Sequence, residues 1–126
     1  MKLPTFLIKQ KRKEQSIKQV FKKIYLSLFS FSPFEKYQIA EESMIPLFYP
    51  GENVLVNKLT YFFQNPKIGD VIIIQNRIGK RLIKRIEKIS GEKIYVIGEN
   101  KAKSVDSRRF GPILKKEIIG KVISKF

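Results

Sequence analysis

Residues 67–100 read KIGDVIIIQNRIGKRLIKRIEKISGEKIYVIGEN, and the order of apolar runs and turn residues in this stretch sets the architecture. Gly69 and Asp70 lead into the fully apolar run at Val71–Ile74, the pattern of a central strand. Lys80–Ile89 and Lys93–Ile97 are strand-like and are joined by SGEK at residues 90–93, a hairpin turn. Outward from there, Lys36–Ala40, Asn53–Lys58 and Glu117–Ser124 also read as strands, alongside Asp70–Gln75. Short strands separated by turn signals predict an all-β domain over residues 36–126, a small and strongly twisted barrel or sandwich. No internal repeat or low-complexity linker interrupts it.

Residues 1–35 follow another rule. The stretch KQKRKEQSIKQVFKKIYLSLFSF, residues 9–31, places Ile17, Val20, Phe21, Ile24, Leu28 and Phe31 at helical spacing, with Lys18, Lys22 and Lys23 largely off that stripe. A basic amphipathic helix ending before Pro33 is expected. Its least polar part, residues 24–34, is shorter than the roughly 20 residues a membrane span needs. Two lysines interrupt its apolar half, unlike the core of a cleavable signal peptide. Such a helix can lie in a membrane surface, or pack its stripe on the domain core or a partner.

Composition narrows the chemistry. A chain of 126 residues suits one modest core. The absence of Cys and His excludes disulfides, cysteine nucleophiles and any histidine-based triad, so a catalytic base has to be Lys, Asp or Glu. The net charge of +15 points to acidic membrane or nucleic acid, or to a Lys-rich proteome. No nucleic-acid recognition motif accompanies the charge, so a nucleic-acid partner is not expected.

Three segments hold groups suited to chemistry. Ser43, in IAEESMIPLFYPGENVLV at residues 39–56, follows a strand and precedes a turn rich in Pro and Gly. Its hydroxyl either caps that turn or attacks a substrate. In KRLIKRIEKI, side chains alternate, so Lys84 shares a face with Leu82 and Ile86. Burial there would lower its pKa toward that of a general base, whereas an ordinary lysine would extend its ammonium to solvent. In IGENKAKSVDSRRFGPI, residues 97–113, Asp106 and Arg108 can pair to brace a loop that also offers Ser104 and Ser107.

Taken in order, SMIP at 43–46, KIGDVIII at 67–74, LIKRIEKISGE at 82–92 and GENKAKSVDSRRFGPI at 98–113 resemble the sequence boxes of the bacterial type I signal peptidases, serine endopeptidases with a Ser/Lys dyad. The resemblance spans roughly residues 39–123. It implies a signal-peptidase/LexA-like coiled β-barrel and a peptidase that removes an N-terminal leader from a precursor protein, with no metal or cofactor. By matching position it implies Ser43 as nucleophile, Lys84 as general base and Ser104 as the group orienting the lysine amine. Asp106 and Arg108 correspond to the pair that holds that loop. Met44 corresponds to a residue lining the substrate pocket, and the Ser43 N–H to the oxyanion donor.

Two departures stand out. Where the family carries small residues just before the nucleophile, this chain has Glu41 and Glu42. An inward, ionised Glu41 would repel the developing oxyanion. The link from Lys84–Arg85 to the Gly98–Asn100 box is also short, leaving a minimal core similar to the maturation proteases of nickel superoxide dismutase. The expected location is peripheral to a membrane, through the N-terminal helix, or cytoplasmic. The alternatives carried forward are a maturation protease dedicated to one substrate and an inactive basic binding module.

Overall fold

The apolar run at residues 71–74 forms a strand in the interior of an antiparallel sheet, with a neighbour on either side. A computed structural model describes residues 2–30 and 32–126, except for the side chains of residues 28–30. Its elements run α1 (Thr5–Ser30), β1 (Phe34–Gln38), β2 (Asn53–Asn57), α2 (Thr60–Phe63), β3 (Val71–Gln75), β4 (Arg81–Ser90), β5 (Lys93–Ile97), α3 (Ser107–Phe110) and β6 (Ile118–Lys125). Each strand expected from the sequence is present. The first begins at Phe34, earlier than expected, because its register pairs Phe34 with Asn57 and Gln38 with Asn53.

The strands form one sheet in the order β1-β2-β6-β3-β4-β5, with every pairing antiparallel. Both faces are buried. Ile72, Ile74, Leu82, Ile86, Ile94 and Val96 pack on one side. Ile73 and Ile83 pack on the other with Ile39, Met44, Phe48, Val54 and Val56. Alternation sends successive side chains to opposite faces, so a strand clothed on both sides must be apolar throughout. That is the physical reason for Val71–Ile74.

The sheet curls. β1 and β4 are separated by three strands in the sheet order, yet Glu35 pairs with Arg81, and the Tyr37 hydroxyl donates to the Arg81 carbonyl at 3.3 Å. β5 pairs with β4 only from Arg85 to Ser90, while β3 covers the other side of Arg81–Arg85. Among the described residues, the stretch Arg81–Lys84 therefore has one edge without a strand partner. β4 and β5 close at the expected hairpin, where Ser90 faces Lys93.

The chain divides into two units, Met1–Ser32 and Pro33–Phe126. In the first, α1 carries Ile17, Val20, Phe21 and Ile24 of the expected stripe, all exposed. The Leu28 side chain and Phe31, the last positions of that stripe, lie outside the described residues. No helix among the described residues is long and apolar enough to cross a membrane.

Candidate active site

Beyond β1 the backbone keeps contact with the segment before β2, through Ile39 N–H to Glu52 O and Gly51 N–H to Ile39 O, both 2.8 Å. The chain then turns, with Ile45 N–H donating to Glu42 O at 3.2 Å and Phe48 N–H to Met44 O at 2.9 Å. Met44 and Phe48 anchor this turn in the core. Ser43 sits within it and is 1% exposed. Its Oγ has no hydrogen-bond partner among the described residues. Leaving a buried hydroxyl unpaired costs about 1–3 kcal/mol, so its retention calls for a reason other than stability.

Lys84 lies on the face of β4 shared with Leu82 and Ile86 and is also 1% exposed. Instead of extending its ammonium to solvent, it directs Nζ to Ser104 Oγ, donating at 3.0 Å. Ser104 passes its own proton on, donating to an Asp106 carboxylate oxygen at 2.8 Å. Asp106 also accepts from Gly98 N–H at 3.0 Å and from the Arg108 guanidinium at 2.9 Å through both Nε and an Nη. It caps α3 by accepting from Arg108 N–H. Arg108 in turn donates to the Lys101 carbonyl at 2.8 Å, which fixes the loop before Ser104.

Two residues outside the expected set join Ser43 to this chain of contacts. The Asn100 N–H donates to the Ser43 carbonyl at 2.8 Å, and its side-chain amide donates to the Glu42 carbonyl at 3.2 Å. Gly98 lies where a Cβ would stand 2.2 Å from Ser104 Oγ and 2.6 Å from the Ser43 carbonyl oxygen. Only a glycine permits Ser104 and the Ser43 turn to approach the same point of backbone. The signal in the sequence was GEN directly after a strand, visible as a motif but silent about which backbones it brings together.

The electrostatics favour an amine that gives up its proton readily. Burial lowers the Lys84 pKa, and the Lys80 and Arg108 charges add to the effect, against an opposing pull from the Glu41 and Asp106 carboxylates. Burial alone would raise the Asp106 pKa, but hydrogen bonds from Arg108, Gly98 and Ser104 outweigh it and hold the carboxyl far below the usual range. Asp106 is thus a fixed anion at the end of the chain. Glu41 and Glu42 are each held by a cation, Lys80 and Lys103 respectively, both at 3.0 Å. The Glu41 charge beside the Ser43 turn is therefore shared with an ammonium group. Arg85 pairs with Glu99 and donates to the Gly69 carbonyl, tying β4 to the Gly98–Asn100 segment from outside.

Beside these residues lies a cleft of about 860 Å³, lined by Glu41, Glu42, Leu82, Val105, Phe110 and Ile113 among others. Of the Arg81–Lys84 stretch only Leu82 lines it, and Ser43, Lys84 and Ser104 adjoin the cleft through their chain neighbours Glu42, Lys103 and Val105 without lining it themselves. Met44 does not line it; its side chain is fully buried against Ile39, Phe48 and Ile83.

Similarity to known proteins shows the family to which this chain belongs. The family model "Signal peptidase, peptidase S26" matches residues 13–96 and 87–126, and the chain belongs to that family. It is 25% identical over 159 residues to the probable thylakoidal processing peptidase 2, chloroplastic, of Arabidopsis thaliana, covering 89% of this chain and 43% of the relative. It is 25% identical over 138 residues to signal peptidase I V of Bacillus subtilis, covering 69% and 82% respectively. Over 74 residues it is 34% identical to signal peptidase I of Buchnera aphidicola, covering 48% and 24%. The chain thus spans less than half the length of the plant and Buchnera relatives.

Proposed function

We propose that this protein is a serine endopeptidase that removes an N-terminal leader from a precursor protein, with Ser43 as nucleophile and Lys84 as general base. The observation that carries this reading is the buried Lys84 amine, held by Ser104 and depressed in pKa, on a site whose adjoining turn buries an unpaired Ser43 hydroxyl. A serine hydroxyl is a weak nucleophile until a base takes its proton, and a neutral amine can take it.

A substrate backbone would add as an extended strand along the open edge of Arg81–Lys84, in the cleft beside Ser43. Ser43 Oγ attacks the scissile carbonyl carbon while Lys84 takes its proton. The carbonyl electrons move to oxygen, where the Ser43 N–H donates. The Lys84 ammonium then protonates the leaving amine as the C–N bond breaks, leaving an acyl-serine. Lys84 next takes a proton from water, the hydroxide attacks the acyl carbon, and Ser43 leaves with the returned proton. Ser104 holds the amine in place, Asp106 and Arg108 hold Ser104, and Met44 anchors the Ser43 turn in the core.

The sheet unit from Pro33 onward, slightly longer than the residues 36–126 expected, would form the peptidase domain, and the basic helix α1 would lie at a membrane surface with anionic headgroups as its partner. A second reading, a maturation protease for one precursor, draws support from Glu41 and Glu42, whose ion pairs with Lys80 and Lys103 line the cleft. Incubation of the full chain with leader peptides ending Ala-x-Ala, beside Ser43→Ala, tests the activity. Cleavage by the wild type alone supports it, and equal cleavage by Ser43→Ala removes Ser43 from the chemistry.

A further inference from the structure

The cleft holds an ion pair whose two halves differ in cover. Glu41 and Lys80 both line it and meet at 3.0 Å, with side chains 29% and 59% exposed respectively. Lys80 precedes the open stretch Arg81–Lys84 of β4, and Lys84 ends it. The Glu41 charge acts on both amines, on Lys80 by contact and on Lys84 through space. Each backbone is held. Ile39 is tied to Gly51 and Glu52, and the Glu42 carbonyl accepts from the Ile45 N–H and the Asn100 amide. Lys80 closes the β3–β4 turn, accepting from Asn76 N–H at 2.9 Å and donating its own N–H to Asn76 Oδ1 at 2.8 Å.

The difference in cover decides which partner can leave. A solvent-exposed ion pair is weak, because water replaces the partner at little cost. Lys80, on a long and mostly solvated stem, loses little by swinging away. Glu41, shorter and mostly covered, keeps its need for a cation. The Glu42–Lys103 pair shows no such contrast, at 51% and 66%. The rest of the cleft wall fits the same occupant. Leu82, Val105, Phe110 and Ile113 give it an apolar surface. A carboxylate beside an apolar wall complements a side chain with a hydrocarbon stem and a cationic end, the build of lysine and arginine. The net charge of the chain favours acidic partners at long range, but salt screens it beyond about 8 Å and leaves the choice to the groups in contact.

We propose that Glu41 is a specificity-determining residue, a fixed carboxylate that exchanges Lys80 for a lysine or arginine side chain of the precursor near the point of cleavage. The inference rests on the peptidase reading above and names a feature of its substrate.

The test uses the full chain and sets of leader peptides ending Ala-x-Ala that differ at one position before the cut, carrying Lys, Gln or Glu there, with that position moved stepwise. At one position the wild type should prefer Lys over Gln by about fivefold or more in kcat/KM. Glu41→Gln should erase that ratio, and Lys80→Gln, which removes the competing ammonium, should widen it. Both charges also act on Lys84, so the ratio between peptides is the readout, not the rate. Fluorescence anisotropy of the same peptides on Ser43→Ala, with and without Glu41→Gln, reads the subsite without turnover. Equal kcat/KM for Lys and Gln peptides at every position, or a preference for Glu, overturns the subsite and leaves the peptidase reading standing. A Lys preference that survives Glu41→Gln overturns it too. Glu41-dependent binding of a Lys peptide with no cleavage by the wild type keeps the subsite and removes the peptidase reading. Neither binding nor cleavage removes both.

Discussion

The amine of Lys84 donates to Ser104 Oγ at 3.0 Å, and both belong to a chain that ends on the fixed anion Asp106. Ser104 gives its proton to Asp106, so it meets Lys84 only as an acceptor and directs one N–H while leaving the rest of the amine free. Removing that acceptor with Ser104→Ala should lower kcat by about 10- to 100-fold with little change in KM, since the base stays present but loses its aim. Steady-state kinetics on a leader peptide would show the split.

The pH profile follows from the direction of the Lys84 shift. Burial disfavours the ammonium form, so the pKa lies below the ordinary lysine value of 10.5, and the neutral base grows as pH rises through it. kcat/KM should therefore climb with pH to a plateau whose midpoint is below that of a free lysine. Glu41 pulls the pKa upward. Glu41→Gln should move the midpoint to lower pH, and an unmoved midpoint would show that Glu41 does not act on the base.

Lys84 should also cost stability. The folded protein binds this proton less tightly than the unfolded chain does, so its contribution improves as pH rises toward the unfolded lysine pKa and is unfavourable at neutral pH. Lys84→Met keeps the side-chain length without the charge. It should raise the thermal midpoint at pH 7 by about 4 °C or more while abolishing turnover. Calorimetry beside the peptide assay would separate the two effects.

Asp106 has the opposite sign. Its folded pKa is depressed, so its stabilisation is complete above the unfolded carboxylate pKa and is lost as pH falls toward the folded value. Asp106→Asn removes the anion from four hydrogen-bonding neighbourhoods at once: Gly98 N–H, Ser104 Oγ, Arg108 N–H and the Arg108 guanidinium. A loss of about 2–4 kcal/mol at pH 7 is expected, with a flatter stability curve in acid, by denaturant titration.

Gly98→Ala tests the close approach directly. A methyl group 2.6 Å from the Ser43 carbonyl has to push the Ser43 turn away from Ser104. Stability should fall by about 1–3 kcal/mol and activity by more than that loss of folded protein explains, measured on the folded fraction.

Much of the sheet was legible because its signals are local. The hairpin turn at 90–93, the apolar run at 71–74 and the alternation through Lys84 each involve neighbours in sequence. Lys84 beside Leu82 and Ile86 could be placed on its face, but whether its amine snorkelled or turned inward depended on Ser104, 20 residues away. The partners of Glu41 and Glu42 were invisible for the same reason, since Lys80 and Lys103 reach them only after the sheet curls. Gly98 and Asn100 show the limit most clearly. Their work is to let one backbone approach another, and no periodicity records that.

The most direct measurement is the rate of leader-peptide cleavage by Ser43→Ala, Lys84→Met and the double variant, each checked for folding. A nucleophile and its base act as a unit, so all three should fall to one common residual rate. Substantial turnover by either single variant, or losses that multiply in the double variant, would contradict a Ser43–Lys84 dyad.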